Sequence, residues 1–450
     1  MYWEFPGIRP SDRLDRSPAL NPDSVRLTPA EALAKADVRQ PALDMRLNVF
    51  DGRPVYRFRS GRHQSVIYAD TGEVRGEITR EMMVRAATAW TGQTAAPATI
   101  ESIDDVDQWT IQLRALKPLW KYAWAGGEHV YVSQSSGEVV QHTTPASRLG
   151  AYLGPISHWL YFTPLRTHGP QWSALVIWLS ALGTATAVLG IIVGVSMYLP
   201  AATIPYRGAK RWHMLFGLIF GLGAATWAFS GMLSMDPFPL QRSGPGGLSA
   251  EGLSHALRGN VRLASFDAMT PRDTLARLSG HQVRELELVE VAGRPFYVAW
   301  LGRGDTRVVP LDGSPASGFE AQLLRHALAA AIGLAETPSI EVINQYDRYY
   351  LDRHRELPLP VLRVRINDGD DTHYYIDPRT ARVVGSYSSR NWVSRWAYHG
   401  LHSLNFPWLY NHRPLWDIVV ITFMLGGAAL SATAVMLAWG VIESKLRHRM

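Results

Sequence analysis

Three long apolar runs break an otherwise mixed chain. Ser173–Leu199 has 27 residues without a charge, Trp212–Met235 has 24 with His213 as the sole titratable group, and Ile418–Ile442 has 25 without a charge. Each reaches the ~20 residues a helix needs to cross ~30 Å of hydrocarbon, and none keeps the polar stripe of a buried soluble helix. Three transmembrane helices are therefore expected. Elsewhere the pattern is shorter. Arg53–Phe58, Gln64–Tyr68 and His129–Val132 alternate as strands do, and Tyr374–Asp377 with Val383-Val384 occupies the corresponding place further on. Turns are marked by Asp70-Thr71-Gly72 and Ser136-Gly137. Thr28-Pro29-Ala30-Glu31-Ala32 reads as a helix start, with Thr28 as cap, Pro29 in the first turn and Glu31 at the positive end. The fold class expected is an α+β membrane protein, each outer domain built from two small modules of a helix against an antiparallel sheet.

The chain also matches itself at a spacing near 242 residues. Thr28-Pro29 recurs as Thr270-Pro271, Gly52–Tyr56 as Gly293–Tyr297, and Pro118-Leu119 as Pro358-Leu359. The densest match lies where the chain approaches the membrane. His158, Leu160, Phe162, Leu165, His168, Pro170 and Trp172 align without a gap on His402, Leu404, Phe406, Leu409, His412, Pro414 and Trp416.

Charge then orients the spans. Arg207, Lys210 and Arg211 fill the loop between the first two, and Lys445, Arg447 and Arg449 outweigh Glu443 in the tail. Both ends read as cytoplasmic under the positive-inside rule. The expected division is an outer domain over 1–145, an interfacial approach and span over 146–199, a cytoplasmic loop over 200–211, a span over 212–235, a second outer domain over 236–390, an approach and span over 391–442, and a tail over 443–450. The start Met1-Tyr2-Trp3-Glu4-Phe5-Pro6 has neither the basic nor the apolar region of a signal peptide. In the repeat, the span at 212–235 has no counterpart before the first outer domain. A first helix is therefore expected upstream, giving four spans in the complete protein; a genuine three-span chain is the alternative.

Composition narrows the chemistry. With no Cys among 450 residues, disulfides, thiolate nucleophiles, iron–sulfur clusters, c-type haem and Cys-ligated zinc are excluded. The net charge of +6 is largely the membrane anchors, and no nucleic-acid partner is expected. Nucleotide loops, zinc-protease and serine-hydrolase motifs are missing. Gly244-Pro245-Gly246-Gly247 reads as a flexible connection after a span. Electrons, if the protein handles them, must come from a separate donor.

Thr28–Ala32, Gly52–Tyr56 and Tyr68-Ala69-Asp70-Thr71-Gly72-Glu73-Val74 resemble the PepSY module, and the spans with Arg211-Trp212-His213 and Leu401-His402 resemble the PepSY-associated transmembrane helix family. The resemblance covers nearly the whole chain. It implies a multi-pass protein of the bacterial inner membrane with large periplasmic domains, in a family that includes reductases of ferric siderophores carrying b-type haem. One or two haems and an iron chelate as substrate are what the resemblance implies here.

Histidine is the residue that could serve such a cofactor, because without Cys the axial ligands available are His and Met. The candidates are His158 and His402 at equivalent positions near the outer surface, and His213 at the inner end of a span. His168 and His412 are also paired, but they could equally cap the approach or meet headgroups. His399 lacks an equivalent, since Pro155 stands there. For His213 an interfacial side chain beside Arg211 remains open. Trp159, Tyr161, Trp172, Trp392, Trp396, Trp408 and Tyr410 read as an aromatic belt at the lipid surface, or as the wall of a bound group. The glycines Gly217, Gly221, Gly223 and Gly231 allow close helix packing or room for a macrocycle. Two functions stay in play: a haem protein passing electrons outward to a ferric siderophore or other chelate, and a non-catalytic sensor or interaction protein whose histidines are structural.

Overall fold

A computed structural model describes residues 4–35, 44–60, 63–200, 202–238, 249–333, 339–352 and 354–447. The Gly244–Gly247 connection lies outside them. The chain runs through α1 (Pro10–Arg16), α2 (Pro29–Lys35), β1 (Asp44–Phe50), β2 (Arg53–Ser60), β3 (His63–Tyr68), α3 (Arg80–Thr91), β4 (Thr99–Ile103), β5 (Leu119–Ala123), β6 (His129–Ser133) and β7 (Val139–Thr143). Then come α4 (Pro145–Ala151), α5 (Thr163–Arg166) and the long helices α6 (Gly169–Tyr198) and α7 (Gly208–Leu233). A similar succession follows: α8 (Ala250–Arg258), α9 (Pro271–Arg277), β8 (Glu285–Val291), β9 (Arg294–Gly302), β10 (Asp305–Pro310), α10 (Ala321–Ile332), β11 (Ser339–Ile343), β12 (Val361–Ile366), β13 (Thr372–Asp377), β14 (Arg382–Tyr387), α11 (Leu401–Ser403), α12 (Pro407–Tyr410) and α13 (Leu415–Arg447).

Local chemistry is reused in both stretches. The Thr28 hydroxyl accepts from the Glu31 amide at 3.2 Å while Glu31 takes the Thr28 amide at 2.8 Å. Thr270 and Asp273 make the same reciprocal pair at the start of α9. The Tyr56 hydroxyl donates to the Leu27 carbonyl at 2.7 Å, and the Tyr297 hydroxyl to that of Met269 at 2.8 Å. Cis peptides precede Pro118 and Pro360, so Pro360 rather than Pro358 holds the position before the strand.

The sheets explain where the core sits. Antiparallel strands in the order β10-β9-β8-β1-β2-β3 form one six-stranded sheet across both halves of the chain. At its middle β1 meets β8, with Met45 opposite Leu288, Arg46 opposite Glu287 and Leu47 opposite Leu286. Successive side chains point to opposite faces. One face therefore carries Met45, Leu47, Leu286 and Leu288 into a single core with Tyr56, Tyr297, Leu275 and Ala32. The other face is divided. Its first end packs Val55 and Val66 against Met83 of α3 and the sheet β4–β7, and its far end packs Val289 and Val298 against Leu328 of α10 and the sheet β11–β14. Between these cores stand Asp44, Arg46, Glu285 and Glu287.

Three helices, α6, α7 and α13, are long and apolar enough to cross a membrane. Most of their apolar side chains are exposed, as on Leu182, Leu189, Leu425 and Val435, which suits a lipid surround. α7 packs against both others. Glycines permit the close approach: a Cβ on Gly426 would sit 2.4 Å from the Phe220 ring, and one on Gly223 would sit 2.6 Å from that of Phe423. These two rings meet edge to face at 5.9 Å.

Candidate functional site

Each long outer helix, α6 and α13, is preceded by the same elbow. A π-helical turn covers Tyr152–Ile156 before His158, and another covers Val393–Gly400 before His402. Two residues after each histidine, Leu160 and Leu404 adopt left-handed backbone with φ 51° in both. For leucine that conformation costs roughly 1–2 kcal/mol, so surrounding contacts must hold it. The Trp172 indole donates to the Trp159 carbonyl at 2.8 Å, and the Trp416 indole to the Ser403 carbonyl at 3.2 Å. Each elbow is thus pinned to its own helix.

The two elbows bring His158 and His402 together. Their ring centroids are 5.7 Å apart and inclined by 52°. A metal ion bonded to one nitrogen of each ring at about 2.0–2.1 Å would separate the ring centres by about 6 Å. His402 is half-buried against α7, whereas His158 is exposed on the surface of the chain. Partial desolvation by the packed elbows, with the neighbouring imidazole adding to it for His402, holds both below the ordinary histidine value, His402 at about 4. Both rings are therefore neutral, the state a metal requires.

Hydrogen bonds fix which nitrogen of His402 is free. The Ser230 hydroxyl donates to the Trp227 carbonyl at 3.2 Å and so turns a lone pair to His402 Nδ1, 3.0 Å away. In that arrangement Nδ1 carries the proton and Nε2 keeps its lone pair. This is how metal-binding histidines are oriented by an outer partner. The same device appears at the other end of α7. The Thr433 hydroxyl of α13 lies 2.8 Å from the Leu430 carbonyl, 3.0 Å from that of Ala429 and 3.0 Å from His213 Nδ1; with its one proton shared between the carbonyls it accepts from Nδ1. His213 precedes Ser230 by 17 residues on the one helix, about 25 Å at 1.5 Å per residue.

The remaining histidines stand apart. His168 Nδ1 donates to the Pro164 carbonyl at 3.0 Å, and His412 Nδ1 to that of Trp408. Both are exposed caps of the short helices α5 and α12. His158 is thus paired with His402, not with His168. His399 is exposed, its ring 4.7 Å from Tyr398, which lies in turn 5.4 Å from His402. Of the aromatics, Trp159, Trp392 and Trp408 are exposed as a belt would be, but Tyr161 and Tyr410 are buried. Gly231 meets the His402 ring, 3.7 Å from where its Cβ would stand.

Among the described residues no group of three or more His, Cys, Asp or Glu could hold a metal ion. Two imidazoles alone suit a bare ion poorly, since most protein sites need four ligands. A haem would take its two protein ligands from this pair, and its macrocycle would supply the other donors. The donor set fits that group.

A second feature is a cluster of buried charges. On the divided face of the central sheet, Glu287 is wholly buried and meets Arg46 at 3.4 Å, Arg258 at 3.1 Å and Arg382. Attraction from these arginines outweighs burial and lowers its pKa. Glu285, 3.2 Å from Arg46, goes the other way, raised by burial. The alternation Glu285-Leu286-Glu287-Leu288 reads as a strand with a solvated face; the pairing of β1 with β8 and the cover of Arg258 from α8 and Arg382 from β14 bury it.

Comparison with known proteins finds no match among family models, curated proteins or solved structures.

Proposed function

We propose that the chain is a b-type haem protein of a bacterial inner membrane that carries electrons outward and reduces an iron(III) chelate, such as a ferric siderophore, on the periplasmic side. The observation that carries this reading is the apposition of His158 and His402, two neutral imidazoles from equivalent elbows. Haem, when bound, supplies reversible one-electron transfer. The residues of this chain do the rest. His402 offers Nε2 because Ser230 occupies its other nitrogen, and His158 offers a second imidazole from the opposite elbow. His213, oriented by Thr433 about 25 Å along α7, is the candidate for a second position near the inner face. Arg207, Lys210 and Arg211 at the start of α7, with Lys445 and Arg447 at the end of α13, support reading those ends as inside. The sheets and the His158–His402 pair then lie outside, where a chelate arrives. Iron(III) held by hard oxygen donors is released on reduction, because iron(II) binds them far less tightly.

The matched caps, elbows and strand order support reading the chain as an internal repeat of PepSY-like units. Because Arg46 faces Glu287 and the pairs on either side are reciprocal, a pseudo-two-fold axis would pass through that pair and relate His158 to His402. The test is the absorption of the protein purified in detergent. A Soret band with dithionite-reduced b-type α and β bands is expected; a colourless protein from haem-replete cells would favour the sensor reading.

A further inference from the structure

Between the six-stranded sheet, the end of α8 and the start of β14 lies a cavity of about 330 Å³, within the size of small-molecule sites. Its walls come from both halves: Arg46 and Arg59 from β1 and β2, Arg258 from α8, and Arg382 from β14. Its rim is open, with the side chains of Arg59, Glu251 and His255 at least half exposed. The cavity is separate from the His158–His402 pair and owes nothing to the haem reading.

The arginines are unequally served. Arg46 meets Asp44 at 3.1 Å and Glu285 at 3.2 Å as well as Glu287, and Arg59 meets Asp44 at 3.1 Å. Among the described residues, Arg258 and Arg382 have only Glu287 as an ion-pair partner, and they share it. A guanidinium has five N–H donors. Arg382 Nε is buried without a partner. Burial first, helped by the nearby Arg382 charge, outweighs the pull of Glu287 and Asp44 and leaves Arg258 less basic than usual. Two cations sharing one carboxylate face the cavity, and among the described residues one buried donor, Arg382 Nε, is left without a partner. A forked guanidinium matches an oxyanion in two parallel hydrogen bonds, and an anion there would relieve the repulsion.

We propose that this cavity binds a small oxyanionic solute, a carboxylate or a phosphate, between Arg258 and Arg382. A ligand in that place touches both halves of the chain and clasps the β1–β8 seam. Asp44 and Glu251 on the walls disfavour a large polyanion and select a compact one.

Isothermal titration of the full chain in detergent tests this, with acetate and with inorganic phosphate against chloride at matched ionic strength. Saturable binding of at least one, with Kd below about 1 mM, is expected; the stronger binder tells carboxylate from phosphate. Arg258→Gln and Arg382→Gln should each weaken it about tenfold or more. Either variant could fail to fold with Glu287 underpaired, so Val261→Phe, which fills the cavity and leaves every charge in place, should also weaken it. Binding of neither anion beyond the chloride control overturns the proposal. So does wild-type affinity in Val261→Phe together with the folded arginine variants.

Discussion

Replacing Ser230 by alanine probes how the protein prepares His402. Ser230 is wholly buried and its hydroxyl receives His402 Nδ1 at 3.0 Å. Without that oxygen the ring loses the partner that assigns its proton, and the tautomer with Nε2 protonated, useless as a ligand, gains population. A neutral hydrogen bond of this kind contributes about 0.5–1.5 kcal/mol, and loss of an outer partner commonly weakens metal binding about 10–100-fold. The Trp227 carbonyl also lies within reach of the His402 ring and keeps part of the preference. The lower end, about tenfold weaker haem binding, is therefore the expected result. The assay is titration of haem-depleted protein with haemin, followed in the Soret region, on wild type, Ser230→Ala and Ser230→Thr. The threonine variant retains a hydroxyl and should recover most of the affinity. Thermal stability checks that the fold survives. Wild-type affinity in Ser230→Ala, with an unchanged low-spin spectrum, would refute the argument that Ser230 orients a ligand.

Three further outcomes are expected. Thr433→Val removes the partner of His213 and should lower the haem content of a second site without altering the first, measured by pyridine haemochrome and difference spectra. Gly426→Ala places a methyl 2.4 Å from the Phe220 ring and should cost about 1–3 kcal/mol through overpacking between α7 and α13, seen as a lowered unfolding temperature in detergent. His129 is held down to about 4 from 6.5 by burial first and then by Arg148. The unfolded chain therefore takes up a proton that the folded one refuses between those values, so stability is full above pH 6.5 and is lost as pH falls towards 4. Hydrogen exchange in β6 should speed up across that interval, and pH-independent protection there would contradict the assignment.

Some of this was legible along the chain. The three spans could be read because lipid admits few charges, so the helices advertise themselves over more than 20 residues. The observed helices extend beyond the charge-free runs, to Gly169 and Gly208 at their starts and to Arg447 at the last end, since a helix does not stop where hydrocarbon would. His158 and His402 could be singled out because the same seven residue types recur with one spacing around them. That spacing says nothing of distance, and their meeting depends on two elbows whose π-turns and left-handed leucines have no local signature. The partners Ser230 and Thr433 were hidden too, each on a different helix from its histidine. The joining of both halves into one sheet was also invisible, because β1 and β8 are more than 200 residues apart and alternation fixes a face, not a neighbour. The charged seam follows from that pairing. Tyr410, taken with the belt aromatics, is instead buried, its ring 6.4 Å from that of Tyr346 and its hydroxyl donating to the Asp352 carbonyl.

The measurement that bears most directly on the proposed function is electron paramagnetic resonance of the oxidised protein, with a dithionite-minus-air difference spectrum, on wild type, His158→Ala and His402→Ala. The account predicts a low-spin bis-histidine signal in wild type that each substitution abolishes, the same signal in both cases, because each removes one of two imidazoles whose rings lie 5.7 Å apart. A bis-histidine haem at wild-type occupancy in either variant, or no haem signal in the wild-type protein, would contradict it.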